Sequence, residues 1–260
     1  MTSDVHHYMQ RDTKNFFRLS WRLAVVDFNL RNEGSFLGNL WYLLNPLLLF
    51  LILYFIFFDR LGGDIPSYPA YLIMGILPFT FFVRTTMDAT RAIVGNSFIK
   101  SLYFKREALV LSVVLKNLLS HFFEAVVFFA ILLFFGVPWY GIFIYLPILF
   151  FLSVFTYGVS LFLAALTIYF SDLSNIWQFF TTLLWFGTPI FYTIGGQIRL
   201  FLFNLGNPMY YFITAARDTI VYATFPEPWI VVGAILYSTL SVGIGMFVFK
   251  KLEHKFPEML

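Results

Sequence analysis

Six long apolar runs constrain this chain more than any other feature of its sequence. They are Trp41–Phe58, Pro69–Val83, Leu118–Phe135, Ile142–Phe170, Ile176–Thr193 and Trp229–Phe249. A helix needs about 20 mostly apolar residues to cross the hydrocarbon core of a bilayer. Because 60% of the residues are hydrophobic and only 12% are charged, a soluble core could not bury them all. The sequence therefore predicts an all-α, polytopic membrane protein with six spans.

The basic residues predict how these spans are oriented. Lys and Arg cluster in three stretches, namely residues 11–31, 84–106 and 250–255. Cytoplasmic loops are enriched in Lys and Arg, so we expect both termini and the 84–106 connection on the cytoplasmic side. The first fifteen residues are polar, which argues against a cleavable signal peptide. We treat residues 1–260 as a single membrane domain with short cytoplasmic segments.

The stretch before the first span, residues 15–35, is predicted to form an amphipathic helix in the plane of the lipid headgroups. An apolar stripe recurs at helical spacing, at Phe17, Trp21, Ala24 and Phe28. Three basic residues accompany it, Arg18, Arg22 and Arg31. Two interpretations stay open. The helix is either a plain anchor or a site where these arginines bind a phosphate-bearing lipid headgroup.

Charged residues in the second span form one helical face, made by Arg84, Asp88 and Arg91. Polar groups at this depth face the bundle or water rather than lipid, and Asp88 can pair with either arginine. An ion pair that closes the end of the helix is one interpretation. The other is a cytoplasmic pore mouth.

The third span carries a second polar face, with Lys116, Asn117, Ser120, His121 and Glu124 on one side. Lys116 is expected to extend to the cytoplasmic surface, and His121 with Glu124 to form an interhelical hydrogen-bonded pair. A metal site or a proton relay is the weaker alternative, because no second His–Glu pair of this spacing exists in the chain.

Small residues line the sixth span at helical spacing, at Ala234, Ser238, Ser241 and Gly245. Residues of this size allow two helices to approach closely. We therefore expect a tight helix–helix contact there.

The connection between spans five and six, residues 194–228, is apolar but interrupted. Gln197–Leu205 and Met209–Tyr222 favour helix, and Gly206, Asn207 and Pro208 separate them. At 1.5 Å per residue the two pieces reach roughly 14 and 21 Å, which is too short to cross a core of about 30 Å. We predict a re-entrant hairpin that enters the membrane from outside and turns at these three residues.

The hairpin is expected to shape an outer exit, with its turn and the residues after it at the opening: Asn207, Pro208, Met209, Tyr210 and Tyr211. Aromatic faces can stack on sugar rings without holding any one hydroxyl group tightly, which suits a polymer that must slide. Charged residues in this stretch, Arg199, Arg217 and Asp218, are expected to face the outer water because burial in lipid is costly.

No segment supplies a nucleotide site. Gly95, Lys100 and Ser101 only superficially resemble a phosphate-binding loop, since the second glycine and the preceding strand are missing. If the protein uses ATP, another chain must bind it. We therefore expect no cofactor in this chain, with ATP and Mg²⁺ held by a partner subunit.

Several short motifs occur in a characteristic order. "NSFIKSLYFKREALVL" follows span two, and "LRNEGSFLGNLWYLLNP" leads into span one. "YLIMGILPFTFF", "YFSDLSNIWQ", "TPIFY" and "NPMYYFITAARD" lie between or after them. Together they resemble the ABC-2 permeases that export polysaccharides and polyol phosphates, over nearly the whole chain. Lys105 and Ser171 stand where that family usually has Pro and Arg.

The resemblance implies a homodimer in the bacterial cytoplasmic membrane, coupled to two copies of a separate ABC ATPase. It also implies a lipid-linked polymer as cargo and no enzymatic activity or nucleic-acid binding, with wall teichoic acid slightly favoured over O-antigen or capsule. The segment 95–107 would then dock on the ATPase through Asn96, Phe98, Ile99, Lys100, Tyr103, Phe104, Lys105, Arg106 and Glu107. A solvated basic loop is the alternative for this segment.

Two other functions stay open at this point. One is an ABC-2 exporter of a small amphiphile such as a drug or lipid. The other is an intramembrane glycan- or acyl-transferase that uses Asp88, His121 or Glu124, although the sequence shows no clustered acid–base set around them.

Overall fold

The structure, a computed structural model, describes the backbone of residues 2–30, 40–62, 64–94, 105–254 and 256. Side chains are described from residue 16 onward in these ranges, except at 40 and 42. The described elements are helical: α1 Thr2–Leu30, α2 Leu40–Leu61, α3 Tyr68–Ala89, α4 Glu107–Phe134, α5 Gly141–Thr167, α6 Leu173–Gly187, α7 Ile198–Leu205, α8 Pro208–Ala216, a π-helical turn Arg217–Val221 and α9 Pro228–Glu253.

Five of the described helices are long and apolar enough to cross a membrane, namely α2, α3, α4, α5 and α9. They correspond to the first four and the last of the predicted spans, although α4 begins at Glu107 rather than Leu118. The chain is therefore an all-α, polytopic membrane protein. The fifth predicted span differs, because α6 has only 15 residues and is roughly 22 Å long. The six-span topology stays a prediction.

Helix α3 lies at the centre of the bundle and contacts α2, α4, α5, α6 and α8. In its most apolar stretch 78% of the residues are buried, against 11% in α2. The outer helices carry exposed apolar side chains such as Phe55 on α2 and Phe247 on α9. A surface of this kind faces lipid or another subunit rather than water.

The closest helix–helix approach joins α5 and α9. A Cβ atom built at Gly245 would collide with the carbonyl oxygen of Gly158, so only glycine fits at this crossing. About two helical turns earlier in α9, Ser238 Oγ donates to the carbonyl oxygen of Phe151 at 2.9 Å. The close contact predicted from the small residues of the sixth span is confirmed.

Helix α1 contacts α4, with Phe28 stacked on Phe123 at 6.2 Å between ring centres, and Ser20 and Ala24 of α1 are fully buried. Phe17 is 69% exposed and Trp21 is 49% exposed, so these two residues of the predicted apolar stripe do not pack on the protein, and their contact with lipid stays a prediction. The packed face is rotated toward the smaller side chains, which let α1 approach α4. The exposed pair adjoins Arg18 and Arg22, which are also exposed. Arg31 lies outside the described residues.

Candidate functional site

The fifth apolar run breaks at Gly187 because of the residues that follow. Thr188 takes an extended conformation, as residues before proline usually do, and Pro189 offers no N–H to continue α6. The chain becomes helical again only at Ile198, where α7 begins. The break leaves a non-helical segment, residues 188–197, next to the central helix α3.

The junction between α7 and α8 has the predicted residues. Asn207 is the N-cap of α8, and its side chain accepts a hydrogen bond from the Met209 amide at 3.1 Å. Pro208 occupies the first turn, where its missing N–H costs nothing. The expectation of two short helices separated by Gly206–Pro208 is confirmed; their depth in a membrane stays a prediction.

The two helices of this hairpin differ in their surroundings. Helix α7 is apolar but exposed, whereas α8 buries Met209 and Tyr211 in the core. The Tyr211 hydroxyl donates to the Leu205 carbonyl oxygen at 2.8 Å, so within the isolated subunit neither side chain faces an opening. That they line an exit stays a prediction. Asn207 is buried as well, and Tyr210 is half-buried and stacks on Trp229.

Arg217 departs furthest from expectation, since it does not face water. It is only 4% exposed. Its Nη1 and Nη2 atoms donate to the carbonyl oxygens of Pro189 and Ile190 at 2.6 and 2.7 Å. Its Nε donates to the Tyr71 carbonyl oxygen at 3.2 Å, and its guanidinium carbon lies 3.4 Å from the centre of the Tyr71 ring. Carbonyl dipoles and an aromatic face together replace the water that the charge loses.

Two tyrosines of α3 hold the rest of the same segment. The Tyr68 hydroxyl donates to the Phe191 carbonyl oxygen at 3.0 Å, and the Tyr71 hydroxyl donates to the Tyr192 carbonyl oxygen at 2.6 Å. With Arg217, these side chains engage four consecutive carbonyl groups, at residues 189–192. We call Tyr68, Tyr71 and Arg217 the carbonyl clamp. Non-helical backbone in apolar surroundings needs such partners.

Gly75 leaves the space that the carbonyl clamp occupies. A Cβ atom built there would lie 2.6 Å from Arg217 Nη2 and 2.9 Å from the Ile190 carbonyl oxygen. The clamp therefore connects three parts of the chain: the beginning of α3, the break after α6 and the π-helical turn after α8. Sequence reasoning missed it, although a lone arginine in an apolar stretch signals a partner inside the protein.

The opposite end of α3 is held by charge. Arg84 pairs with Glu124 of α4, and one turn further Asp88 pairs with Lys116 at 3.0 Å. Asn117 Nδ2 also donates to Asp88 at 3.0 Å. The expectation that Lys116 extends to the surface is wrong: it is buried, because Asp88 binds it. Arg91 is exposed, so the three residues of the predicted pore mouth do not act as one group here.

His121 and Glu124 are buried at the same helix interface. His121 Nε2 lies 2.9 Å from the Tyr145 hydroxyl of α5, and Nδ1 lies 3.7 Å from Glu124. Each of the two residues contacts another helix, His121 through Tyr145 and Glu124 through Arg84, but they are not hydrogen-bonded to each other as expected. The polar chain of Arg84, Glu124, His121 and Tyr145 thus connects α3, α4 and α5.

The segment predicted to dock on an ATPase lies mostly outside the described residues, including Asn96, Phe98, Ile99, Lys100, Tyr103 and Phe104. Of the remainder, Lys105 is exposed and Glu107 is buried. Arg106 donates to the Glu253 carbonyl oxygen at 3.0 Å and lies over the Phe256 ring. Arg106 therefore ties the beginning of α4 to the end of α9, and the coupling role of this set stays a prediction.

Known proteins resemble this chain over most of its length. The family model for the ABC-2 type transporter matches residues 19–221. An O-antigen export system permease protein RfbA of Klebsiella pneumoniae is 30% identical over 90% of this chain and 92% of its own length. One from Myxococcus xanthus is 26% identical over 92% of this chain and 94% of its own length. The chain belongs to the ABC-2 type transporter family of membrane proteins.

Proposed function

We propose that this chain is the membrane-spanning subunit of an ATP-driven exporter of a lipid-linked polysaccharide. The observation that carries the proposal is the similarity to O-antigen export permeases at 26% and 30% identity, which extends over at least 90% of the chain. A match of this extent includes the hairpin and the charged end of α3, rather than one common helix pattern.

The polymer is proposed to be of the O-antigen class. The names of three relatives support this class, and none of these three names mentions teichoic acid. An exporter of small amphiphiles is the remaining alternative within the family. A polymer that passes stepwise requires an opening lined by weak, repeated contacts rather than one deep binding site.

The energy for export is proposed to come from a separate ABC ATPase, because no phosphate-binding loop occurs in the sequence. In the proposed assembly two copies of this chain form a homodimer in the bacterial cytoplasmic membrane, and each binds one ATPase subunit. Both termini and the segment 95–107 lie on the cytoplasmic side, and the hairpin of α7 and α8 lies outside. ATP binding then shifts the population between closed and open states of the dimer.

The N-terminal helix is proposed to meet the lipid end of the cargo. Arg18 and Arg22 are exposed beside the exposed rings of Phe17 and Trp21. An aromatic and basic surface of this kind suits the boundary between acyl chains and anionic headgroups. A transferase activity is not favoured, because His121 and Glu124 are buried in contacts between helices.

The proposal is tested by purification of the tagged chain from cells that also produce each ABC ATPase encoded in the same genome as a candidate partner. We expect the ATPase to copurify, and its ATP hydrolysis in lipid nanodiscs to rise when the lipid-linked polymer is added. The Arg18→Ala/Arg22→Ala variant should assemble normally and lose most of that stimulation. The proposal is contradicted if no ATPase copurifies with the chain. It is also contradicted if the rate of ATP hydrolysis does not change when the polymer is added.

A further inference from the structure

We propose that Arg217 is a positioning residue for export: it ties the α7–α8 hairpin to α3, so that the two move together during transport. The inference rests on the proposed function, because it concerns how an exporter opens. Arg217 touches no part that we assign to cargo or ATP. It acts through the three backbone carbonyl groups that it binds.

The first argument is the cost of placing Arg217 where it lies. An arginine side chain keeps its charge in proteins, and burying that charge in an apolar setting costs several kcal/mol unless partners replace water. Arg199 shows the alternative, since it lies on the same hairpin and is exposed. Arg217 instead turns inward and uses three donor atoms on three carbonyl groups. Its position is thus specified by the surrounding backbone.

The second argument is what Arg217 connects. Its own backbone begins the π-helical turn that continues α8, and π-helical turns are frequent at functional sites. Its acceptors belong to α3 and to the break before α7. Both ends of the hairpin are therefore attached to the same place on α3, and the hairpin cannot tilt away from α3 without breaking these hydrogen bonds.

The third argument is the reach of α3. This helix has 22 residues and is about 33 Å long, so it connects the carbonyl clamp to the ion pairs of Arg84 and Asp88 at its other end. It is also the most deeply buried of the candidate spans. Pro78 lies between the two ends and removes one backbone hydrogen bond, but the helix is continuous from Tyr68 to Ala89. We therefore expect a displacement of the charged end to reach the hairpin, provided that the clamp holds.

The test measures the movement of the hairpin directly. The chain contains no cysteine, so a single reporter at Leu202→Cys, an exposed position of α7, labels specifically. In the full complex with its ATPase, we expect the rate of labelling by an impermeant maleimide to change at least threefold between nucleotide-free and ATP-bound states. Arg217→Gln should abolish this change and reduce export at least tenfold, while ATP hydrolysis continues. Arg199→Gln is the matched control and should alter neither.

Two further measurements separate positioning from general stability. An Arg217→Gln complex that assembles with the ATPase and melts within about 5 °C of the unaltered complex, yet loses the labelling change, has lost positioning rather than folding. Tyr68→Phe removes only the hydroxyl group that donates to the Phe191 carbonyl oxygen and leaves Arg217 in place. If Arg217→Gln does not assemble, we expect Tyr68→Phe to reduce the labelling change at least twofold.

The outcomes separate the two proposals. If the Arg217→Gln complex keeps both the ATP-dependent labelling change and export, the positioning role is wrong and the proposed function stands. An unchanged labelling response in Tyr68→Phe, where Arg217→Gln does not assemble, also overturns the positioning role. If the unaltered chain neither exports polymer nor responds to ATP, the proposed function itself fails.

Discussion

The two ends of α3 hold their neighbours by different chemistry. At the hairpin end, Arg217 binds neutral backbone carbonyl groups and stacks on Tyr71. At the opposite end, Arg84 binds the carboxylate of Glu124, and Lys116 binds that of Asp88. Both ends bury basic side chains, but only one of them supplies an opposite charge by direct contact.

The difference follows from what each end must satisfy. A broken helix leaves carbonyl groups that point in several directions, and the planar guanidinium supplies donors in a fixed fork. An interface between two regular helices has no free backbone groups, so side chains of opposite charge suffice there. The hairpin end is therefore specified by geometry, and the opposite end by charge. Substitutions can separate these two requirements.

The largest effect is expected where no space remains, at Gly75. The added methyl group of Gly75→Ala would displace both Arg217 and the Ile190 carbonyl group, which lie 2.6 and 2.9 Å from its position. We expect a loss of about 3 kcal/mol, seen as a melting temperature lower by about 10 °C in detergent.

Gly243→Ala in α9 is the control for Gly75→Ala, because nothing lies within 4 Å of its added Cβ. That variant should match the unaltered chain or gain slightly, since alanine favours helix over glycine. Equal melting temperatures for the two variants would show that the clamp tolerates an added atom and is not specified by its geometry.

Replacement of arginine by lysine should affect the two ends unequally. Lysine is a compact charge and cannot reach three carbonyl groups, so Arg217→Lys leaves buried acceptors unpaired at a cost of about 2 kcal/mol. Arg84→Lys keeps a charge for Glu124 and should cost less than about 1 kcal/mol. Thermal unfolding of the two purified variants measures the difference. A larger loss of stability for Arg84→Lys than for Arg217→Lys would contradict the conclusion that geometry specifies the hairpin end and charge the opposite end.

The ion pair of Asp88 and Lys116 should tolerate exchange of its two charges. Each single substitution places two like charges in direct contact: Asp88→Lys puts two lysines there, and Lys116→Asp puts two aspartates there. The double variant restores opposite charges, and we expect a favourable coupling of about 1 kcal/mol in the double-mutant cycle. Additive losses would mean that the pair contributes no charge-specific stability.

The smallest effect is expected at Asp218, which follows the clamp arginine and lies outside the candidate spans. Burial raises the pKa of Asp218, as does Glu227, and Arg217 lowers it in part. A carboxyl group with a raised pKa binds protons on folding, so its cost grows as the pH rises through that interval. Asp218→Asn should therefore raise the melting temperature by less than about 2 °C, and more at pH 8 than at pH 4, which is near the ordinary pKa of 3.8. An equal change at both pH values would exclude ionisation as the cause.

The regular elements of the fold follow from the sequence because they depend on length, apolarity and local breakers. Gly206–Pro208 predicts the turn between α7 and α8, since cap and proline chemistry acts within a few residues. The end of α6 at Gly187 was missed because the apolar run continues to Thr193, and hydropathy alone cannot distinguish helix from extended chain.

Helical spacing predicts which polar side chains share a face, but not which residues of another helix they meet. Arg84, Asp88 and Glu124 were correctly predicted to face the bundle, whereas Lys116 was not, and the pairing of these residues depends on how α3 and α4 align. The carbonyl clamp was beyond prediction, because its acceptors are backbone groups of a segment far from Arg217 in the chain. No residue type marks a carbonyl that has lost its helical partner.

The most direct test of the central claim, that this chain exports a polysaccharide, is the location of the polymer in cells depleted of it. A polymer-specific antibody is applied to intact and to permeabilised cells. We predict that depleted cells make the polymer but stain only after permeabilisation, and that the unaltered chain restores surface staining only with an active ATPase. Surface staining that persists at its normal level without this chain would contradict the claim.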